Sequence, residues 1–267
     1  MAACDQCGTS LRERAKFCWQ CGAKTQPRRA TPDPLIGKQL GAYRVVSHLS
    51  DGGMGRVYRA EQLSLGRMVC IKVLLPNMLS DPGMVQRFEL EARATSKLRH
   101  PNIVDVVDFG SSGEQLYIVM ELIEGKNLRQ ILNAAGPLPW PRATELTRQI
   151  LSALGEAHAA GVVHRDLKPA NVIVSQLRDG SDVAKVTDFG IAKLLGHDSG
   201  RITETGVMFG TPNYMAPEQI ERRPIDGRCD IYAVGIMLFE LLTGEDMFPG
   251  EDTLKKFRAH LHQPARS

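Results

Sequence analysis

His164-Arg165-Asp166-Leu167-Lys168-Pro169-Ala170-Asn171, followed by Asp188-Phe189-Gly190, is the stretch that decides the fold. It places an acid, a lysine, an amide and a second acid on two short loops between apolar runs. Val172-Ile173-Val174 follows the first loop, and Val183-Ala184-Lys185-Val186 precedes the second. Runs this short and this rich in β-branched residues predict two strands that hold the loops side by side. Asp166 can then accept a proton, while Asn171 and Asp188 present oxygens to a hard cation. Oxygen ligands, completed by water and phosphate, are what Mg²⁺ prefers, and Mn²⁺ takes the same donors.

Upstream, three apolar-rich segments read as strands: Tyr43 to Leu49, Arg56 to Leu63 and Arg67 to Leu74. The turn between the first two is Ser50-Asp51-Gly52-Gly53-Met54-Gly55. Its glycines let backbone N–H groups approach phosphate closely, although any tight hairpin also wants glycine. In the third segment alternate residues share a face, so Cys70 and Lys72 point one way, with Val69 and Ile71 behind. A helix follows, with Asp81 as its cap and Pro82 in its first turn. Val85, Phe88, Ala92 and Thr95 form its buried face. Glu91 lies at the edge of that face, where an acid needs a cation, and Lys72 is the candidate. Ile103 to Phe109 and Leu116 to Glu121 complete a five-stranded sheet. The remainder reads as helical: Asn127 to Ala135 ended by Gly136, Pro141 to Ala160 ended by Gly161, and the very apolar Arg228 to Thr243.

Residues 1–24 are a separate unit. Cys4-x-x-Cys7 and Cys18-x-x-Cys21 are ten residues apart, and Cys7 and Cys21 each precede a glycine. Two such knuckles suit a tetrahedral thiolate site for structural Zn²⁺, and metal binding would supply folding energy on the order of 10 kcal/mol. A protein that docks on this ribbon is the partner it implies. Residues 25–38 hold three prolines and read as a linker.

Composition bounds the rest. The chain has 267 residues, 43% hydrophobic and 24% charged, as ordinary soluble globular proteins do. Its net charge of +3 gives no argument for a nucleic-acid or membrane-surface partner. The longest apolar candidate, Ile231 to Leu242, is broken by Gly235 and Glu240 and is too short to span a bilayer. Met1-Ala2-Ala3-Cys4-Asp5 has no apolar signal core. The expected location is the reducing cytoplasm, where six cysteines point to metal or free thiols rather than disulfides.

The ordered string of motifs resembles the protein kinase family, and over about residues 40–260 looks most like bacterial serine/threonine kinases of the eukaryotic type. The fold this implies is α+β and two-lobed: an N-lobe at 39–121 with a five-stranded sheet and one helix, and a helical C-lobe at 122–267, preceded by the ribbon. The resemblance implies ATP with Mg²⁺ as cofactor and protein Ser/Thr hydroxyls as substrate. Against the family's glycine-rich pattern, Ser50 replaces the first glycine while Gly52, Gly55 and Val57 match, and Gly53 lies in the same loop. Val69-Cys70-Ile71-Lys72 matches the strand whose lysine holds the α- and β-phosphates, with Glu91 holding that lysine. Cys70, where the family has alanine, would contact the adenine ring, either as a small packing residue or as a reactive thiol. By the same resemblance Met120 guards the back of the nucleotide pocket, and backbone groups of Glu121 and Ile123 bind the adenine edge. Asp166 is the catalytic acid, Lys168 neutralises the moving phosphoryl group, and Asn171 and Asp188 hold the metal. Lys168 and Gly210-Thr211-Pro212-Asn213-Tyr214-Met215-Ala216-Pro217-Glu218 favour a serine/threonine enzyme over a tyrosine kinase. Asp230 matches the helix acid that braces the catalytic loop.

Residues 191–209 contain Thr203 and Thr205, candidates for autophosphorylation, with Arg165 as the cation for the added phosphate. The family's second lobe continues with further helices, including an arginine for the acid at Glu218. Within residues 1–267 no such helix is expected after Thr243, so the expectation is a second lobe incomplete at its C-terminus. Two other classes therefore stand beside an active kinase: an ATP-binding scaffold without turnover, and a zinc-ribbon adaptor.

Overall fold

β-Branched and aromatic residues alternate with polar ones from Tyr43 onward, and this pattern builds the first layer. The computed structural model describes residues 2–3, 10–11, 21, 33–52, 54–189 and 212–266. The chain divides into two units, Met1–Ile36 and Gly37–Ser267. In the first, β1 (Ala2–Ala3) pairs antiparallel with β2 (Ser10–Leu11), and Cys21 sits in an exposed turn. Cys4, Cys7 and Cys18 lie outside the described residues, and so does the four-thiolate site expected of them. Among the described residues, no three His, Cys, Asp or Glu side chains gather as a metal site.

In the second unit, β3 (Gln39–Leu40), β4 (Tyr43–Asp51), β5 (Gly55–Gln62), β6 (Arg67–Leu74), β7 (Val106–Ser112) and β8 (Gln115–Glu121) form one antiparallel sheet. Its order is β3-β4-β5-β6-β8-β7. The sixth strand corrects the expected five. The chain reverses at Gly41, whose φ of 56° and contact with the Tyr117 hydroxyl leave no room for a side chain, and Leu40 then pairs with Tyr43. Gly37 and Lys38, read as linker, already bond Val45 through Gly37 N–H to Val45 O at 2.8 Å and Val45 N–H to Lys38 O at 2.9 Å. The strand expected from Ile103 begins at Val106. The missing residues spend their backbone elsewhere: Val104 N–H donates to Val186 O at 3.0 Å, and Val186 N–H to Asn102 O at 2.8 Å.

One helix packs on this sheet, α1 (Pro82–Thr95). Asp81 caps it by accepting the Gly83 N–H at 2.8 Å. Its buried residues are Met84, Phe88, Glu91, Ala92 and Thr95, so Met84 rather than Val85 opens the stripe and Glu91 lies on it. Phe88 and Ala92 pack with Leu74, Ile118 and Met120 of the sheet.

The second lobe begins with β9 (Lys126–Asn127) and α2 (Leu128–Ala135), where Asn127 and Gln130 form a reciprocal capping box. Then come α3 (Trp140–Ala159), β10 (Val172–Gln176), β11 (Asp182–Val186), α4 (Pro217–Ile220), α5 (Arg228–Thr243) and α6 (Thr253–His262). β9, β10 and β11 make a small antiparallel sheet, with Val172 opposite Val186. Leu146, Ile150, Leu154 and Ala157 of α3 are fully buried in a core with Ala233, Met237 and Leu241 of α5. Fully burying a leucine or isoleucine contributes about 1.5–3 kcal/mol, so α3 and α5 are the pillar on which the loops rest. Among the described residues no helix is long and apolar enough to cross a membrane.

Candidate active site

The loop 164–171 is held from below by one acid. Asp230, in the first turn of α5, is 1% exposed. It accepts the His164 N–H at 2.9 Å, the Arg165 N–H at 2.8 Å and His158 Nε2–H at 2.7 Å. Arg165 has φ of 66°, a left-handed value that non-glycine residues adopt rarely, and these bonds offset its strain. The His164 ring ties this loop to the next. Its Nε2 donates to Thr187 O at 3.0 Å, Nδ1 accepts the Asp166 N–H at 3.3 Å, and its face lies 4.9 Å from the Phe189 ring. Thr187 N–H donates to Asn171 O at 2.9 Å, so the loops stand side by side as their flanking strands require.

On this frame Lys168 Nζ donates to Asp166 Oδ2 at 2.7 Å. Asn171 Nδ2 donates to Asp166 O at 2.9 Å. With its nitrogen so engaged, the amide's oxygen is the atom left for a ligand. Asp188, with φ of 56°, is a second left-handed non-glycine residue, and its side chain stays 41% exposed toward the cleft.

Lys72 joins the two lobes. Its Nζ is 2.7 Å from Glu91 Oε1 and 2.8 Å from Asp188 Oδ1, with Lys72 and Glu91 nearly buried. Burial opposes the Lys72 charge, but Asp188 and Glu91 outweigh it and hold the ammonium well above its ordinary pKa. The Lys72 cation foremost keeps Asp188 below the usual carboxylate range. Burial outweighs the pull of Lys72 on Glu91 and raises it. One lysine thus serves two carboxylates of unequal basicity.

Around this ion triad lie the other predicted residues. Met120 is 9% exposed and lines a small cavity with Glu91, Thr95, Ile118, Asp188 and Phe189. Cys70 packs against the cluster of Leu74, Phe88 and Met120, and burial first, then Asp188, push its thiol up to about 12. Val57 is opposite Lys72, and Ser50 is opposite Val57. Gly52 N–H donates to Gly55 O at 2.8 Å, and a Cβ on Gly55 would stand 2.5 Å from Val73 O, so this hairpin needs glycine there. Gly53, Thr203, Thr205, Gly210 and Thr211 lie outside the described residues. At Glu121 the N–H donates to Asp105 O at 3.0 Å, which leaves its carbonyl as the backbone group for a ligand.

Four contributors were not legible locally. His158 reaches Asp230 across 72 positions. Lys185 Nζ sits 2.6 Å from the Glu121 carboxylate, linking the interlobe segment to β11, the strand that precedes Asp188. Gln219 Nε2 donates to Arg165 O at 2.9 Å, and Thr187 receives His164. Each pair is distant in sequence, so no spacing rule reveals it.

The comparisons agree with this geometry. The family model of the protein kinase domain matches residues 43–267. The serine/threonine-protein kinase pkn3 of Myxococcus xanthus is 44% identical over 238 residues, 88% of this chain and 44% of that protein. PrkC of Bacillus subtilis, also named a serine/threonine-protein kinase, is 42% identical over 228 residues, 85% of this chain and 34% of its own length. The serine/threonine-protein kinase PknA of Mycobacterium tuberculosis is 39% identical over 237 residues, 86% of this chain and 54% of its length. The chain thus spans between a third and just over half the length of these relatives.

Proposed function

The chain belongs to the protein kinase domain family, and from that premise we propose that it transfers the γ-phosphoryl group of ATP to serine or threonine hydroxyls of proteins. The observation that carries the reading is the contact of Lys72 with both Glu91 and Asp188 at 2.7 and 2.8 Å, above a loop that presents Asp166. Phosphoryl transfer asks for positioning and charge neutralisation more than covalent help. Lys72 holds the α- and β-phosphates, and Glu91 keeps it aimed. Ser50, Gly52, Gly53 and Gly55 cover the phosphates. Val57, Cys70, Met120, the Glu121 carbonyl and the Ile123 backbone enclose the adenine.

The Asp188 carboxylate and the Asn171 amide oxygen are a donor pair that fits Mg²⁺, because the Asn171 nitrogen is already spent on Asp166 O at 2.9 Å. When bound, the ion supplies neutralisation of the phosphate charge. Asp166 orients the substrate hydroxyl and accepts its proton as the oxygen bonds to the γ-phosphorus and the bond to ADP breaks. Lys168, 2.7 Å from Asp166, balances charge on the moving group. General-base help of this kind contributes about 10²–10⁴-fold.

The relatives' names support the serine/threonine choice, as does Lys168 in its motif. Phosphorylation of Thr203 or Thr205 by the enzyme itself, a Zn²⁺ ribbon on Cys4, Cys7, Cys18 and Cys21 that docks a protein partner, and a cytoplasmic site of action complete the proposal. The test is incubation with ATP and Mg²⁺, comparing wild type with Asp188→Asn. Phosphate incorporated into the chain or a basic acceptor protein by wild type alone is the expected result. ATP binding without incorporation would replace the enzyme with a nucleotide-binding scaffold.

A further inference from the structure

The chain that packs beside Arg165, the neighbour of Asp166, borders the place where a polypeptide hydroxyl would be presented. That chain is 212–219, tied to the loop through Gln219 and Arg165 O at 2.9 Å. Two adjacent residues of it are gripped from different elements. Tyr214 bonds Arg129 of α2 and Glu240 of α5, which are themselves paired at 2.6 Å. Asn213 is gripped by α6 and by the loop before it. Lys256 Nζ donates to Asn213 Oδ1 at 2.7 Å, and Asn213 Nδ2 donates to Asp246 Oδ1 at 3.0 Å. Lys256 and Asp246 are 3.5 Å apart and close the ring.

The chemistry of this ring admits one orientation. Lysine only donates and a carboxylate only accepts, so a flipped Asn213 amide would meet both neighbours with the wrong atom. Both ends are also fixed. Arg266 holds the Asp246 carbonyl at 3.1 Å and the Glu245 carboxylate at 2.8 Å. Gly250 lets the loop close on Lys256, whose Cγ would lie 2.9 Å from a Cβ at that position. An exposed Lys–Asp pair alone contributes little. Here the amide inserted between the charges turns a weak ion pair into two charge-assisted bonds that act on the backbone of 212–216.

We propose that Lys256, Asn213 and Asp246 are positioning residues for the polypeptide substrate, a clamp that sets the conformation of segment 212–216 and thereby how tightly the acceptor chain is held, without touching nucleotide or reacting atoms. This rests on the kinase reading above. It would make acceptor recognition depend on α6, an element outside the catalytic motifs.

The test uses the full chain, with a histone preparation as acceptor, and the variants Lys256→Met, Asn213→Asp and Lys256→Arg. Lys256→Met removes the donor while keeping the stem, and Asn213→Asp sets a carboxylate against Asp246. Both should raise the acceptor KM on the order of tenfold, the scale of one lost charge-assisted bond, with kcat and the ATP KM within about twofold. Amide hydrogen exchange across 213–216 should quicken in both, and Lys256→Arg should restore exchange and KM. Unchanged acceptor KM and exchange in Lys256→Met would overturn the clamp. So would parallel loss of kcat, ATP affinity and melting temperature, which would mark a merely structural contact. Absence of transfer by wild type would instead remove the kinase reading, and with it the clamp's role in substrate binding, while exchange would still report whether the clamp orders the segment.

Discussion

Cys70 shows how one residue's chemistry depends on its neighbours. Its place beside Lys72 left two readings open, a packing side chain and a reactive thiol. Packed with Leu74, Phe88 and Met120 and facing Asp188, the thiol is pushed up to about 12. Little thiolate exists at neutral pH, and the thiolate is the nucleophile. In the folded protein at pH 8, Cys70 should therefore alkylate with iodoacetamide on the order of 10²–10³-fold more slowly than in the urea-unfolded chain, by peptide mass spectrometry. Labelling at the unfolded rate would contradict the packing. Glu91 carries a related lesson. The spacing of α1 placed it at the edge of the apolar face, and its pairing with Lys72 followed from the need of a half-buried acid for a cation. That the same lysine also reaches Asp188 from the other lobe was out of reach of any local pattern.

At the scale of elements, sequence signals located α5 to the residue and α2 to within one residue by its Gly136 stop, because glycine stops and 3.6-residue periodicity are local. The face of α1 was legible at Phe88, Ala92 and Thr95, whereas in its first turn Met84 is buried and Val85 only partly so, because both are apolar and only packing chooses between them. β3 was missed because a two-residue strand has no periodicity. The start of β7 was misplaced because Ile103 and Val104 are apolar for a different partner, Val186. The cap of α1 gives a prediction. Asp81→Ala removes the bond to Gly83 and should cost about 1 kcal/mol, lowering the melting temperature by about 2–4 °C for a domain of this size. Calorimetry checks the shift, and nucleotide affinity should weaken with it, since α1 carries Glu91.

Across the whole molecule the second lobe is a platform whose buried polar groups register its packing. His260 of α6 is 5% exposed, with Nδ1 2.7 Å from the Tyr232 hydroxyl and the Phe248 ring tilted against it at 4.7 Å. Burial first, then Lys256, depress its pKa to about 4. The unfolded chain binds this proton more readily than the native one, so the contribution of neutral His260 is fully present above about pH 6.5 and is lost as pH falls toward 4. Between pH 7.5 and 5 the loss should be about 2 kcal/mol. Urea unfolding of wild type and His260→Gln across that range should show their difference shrinking as pH falls. A constant difference would mean that the ring is not held neutral.

By itself the sequence nominated the side chains proposed for the chemistry and the kind of element on which each one lies. Asp166, Lys168, Asn171 and Asp188 are set by motif and spacing, because phosphate and hard cations demand those groups on short loops beside strands. Only the tertiary structure decided what holds them: Asp230 with His158 beneath the loop, Lys72 shared between Glu91 and Asp188, Lys185 on Glu121, and Lys256 on Asn213. The physical reason is that catalytic residue types are constrained by the reaction and appear close together in sequence. Their supports are ordinary polar residues, brought within bonding distance only after α3, α5 and α6 have buried their apolar faces.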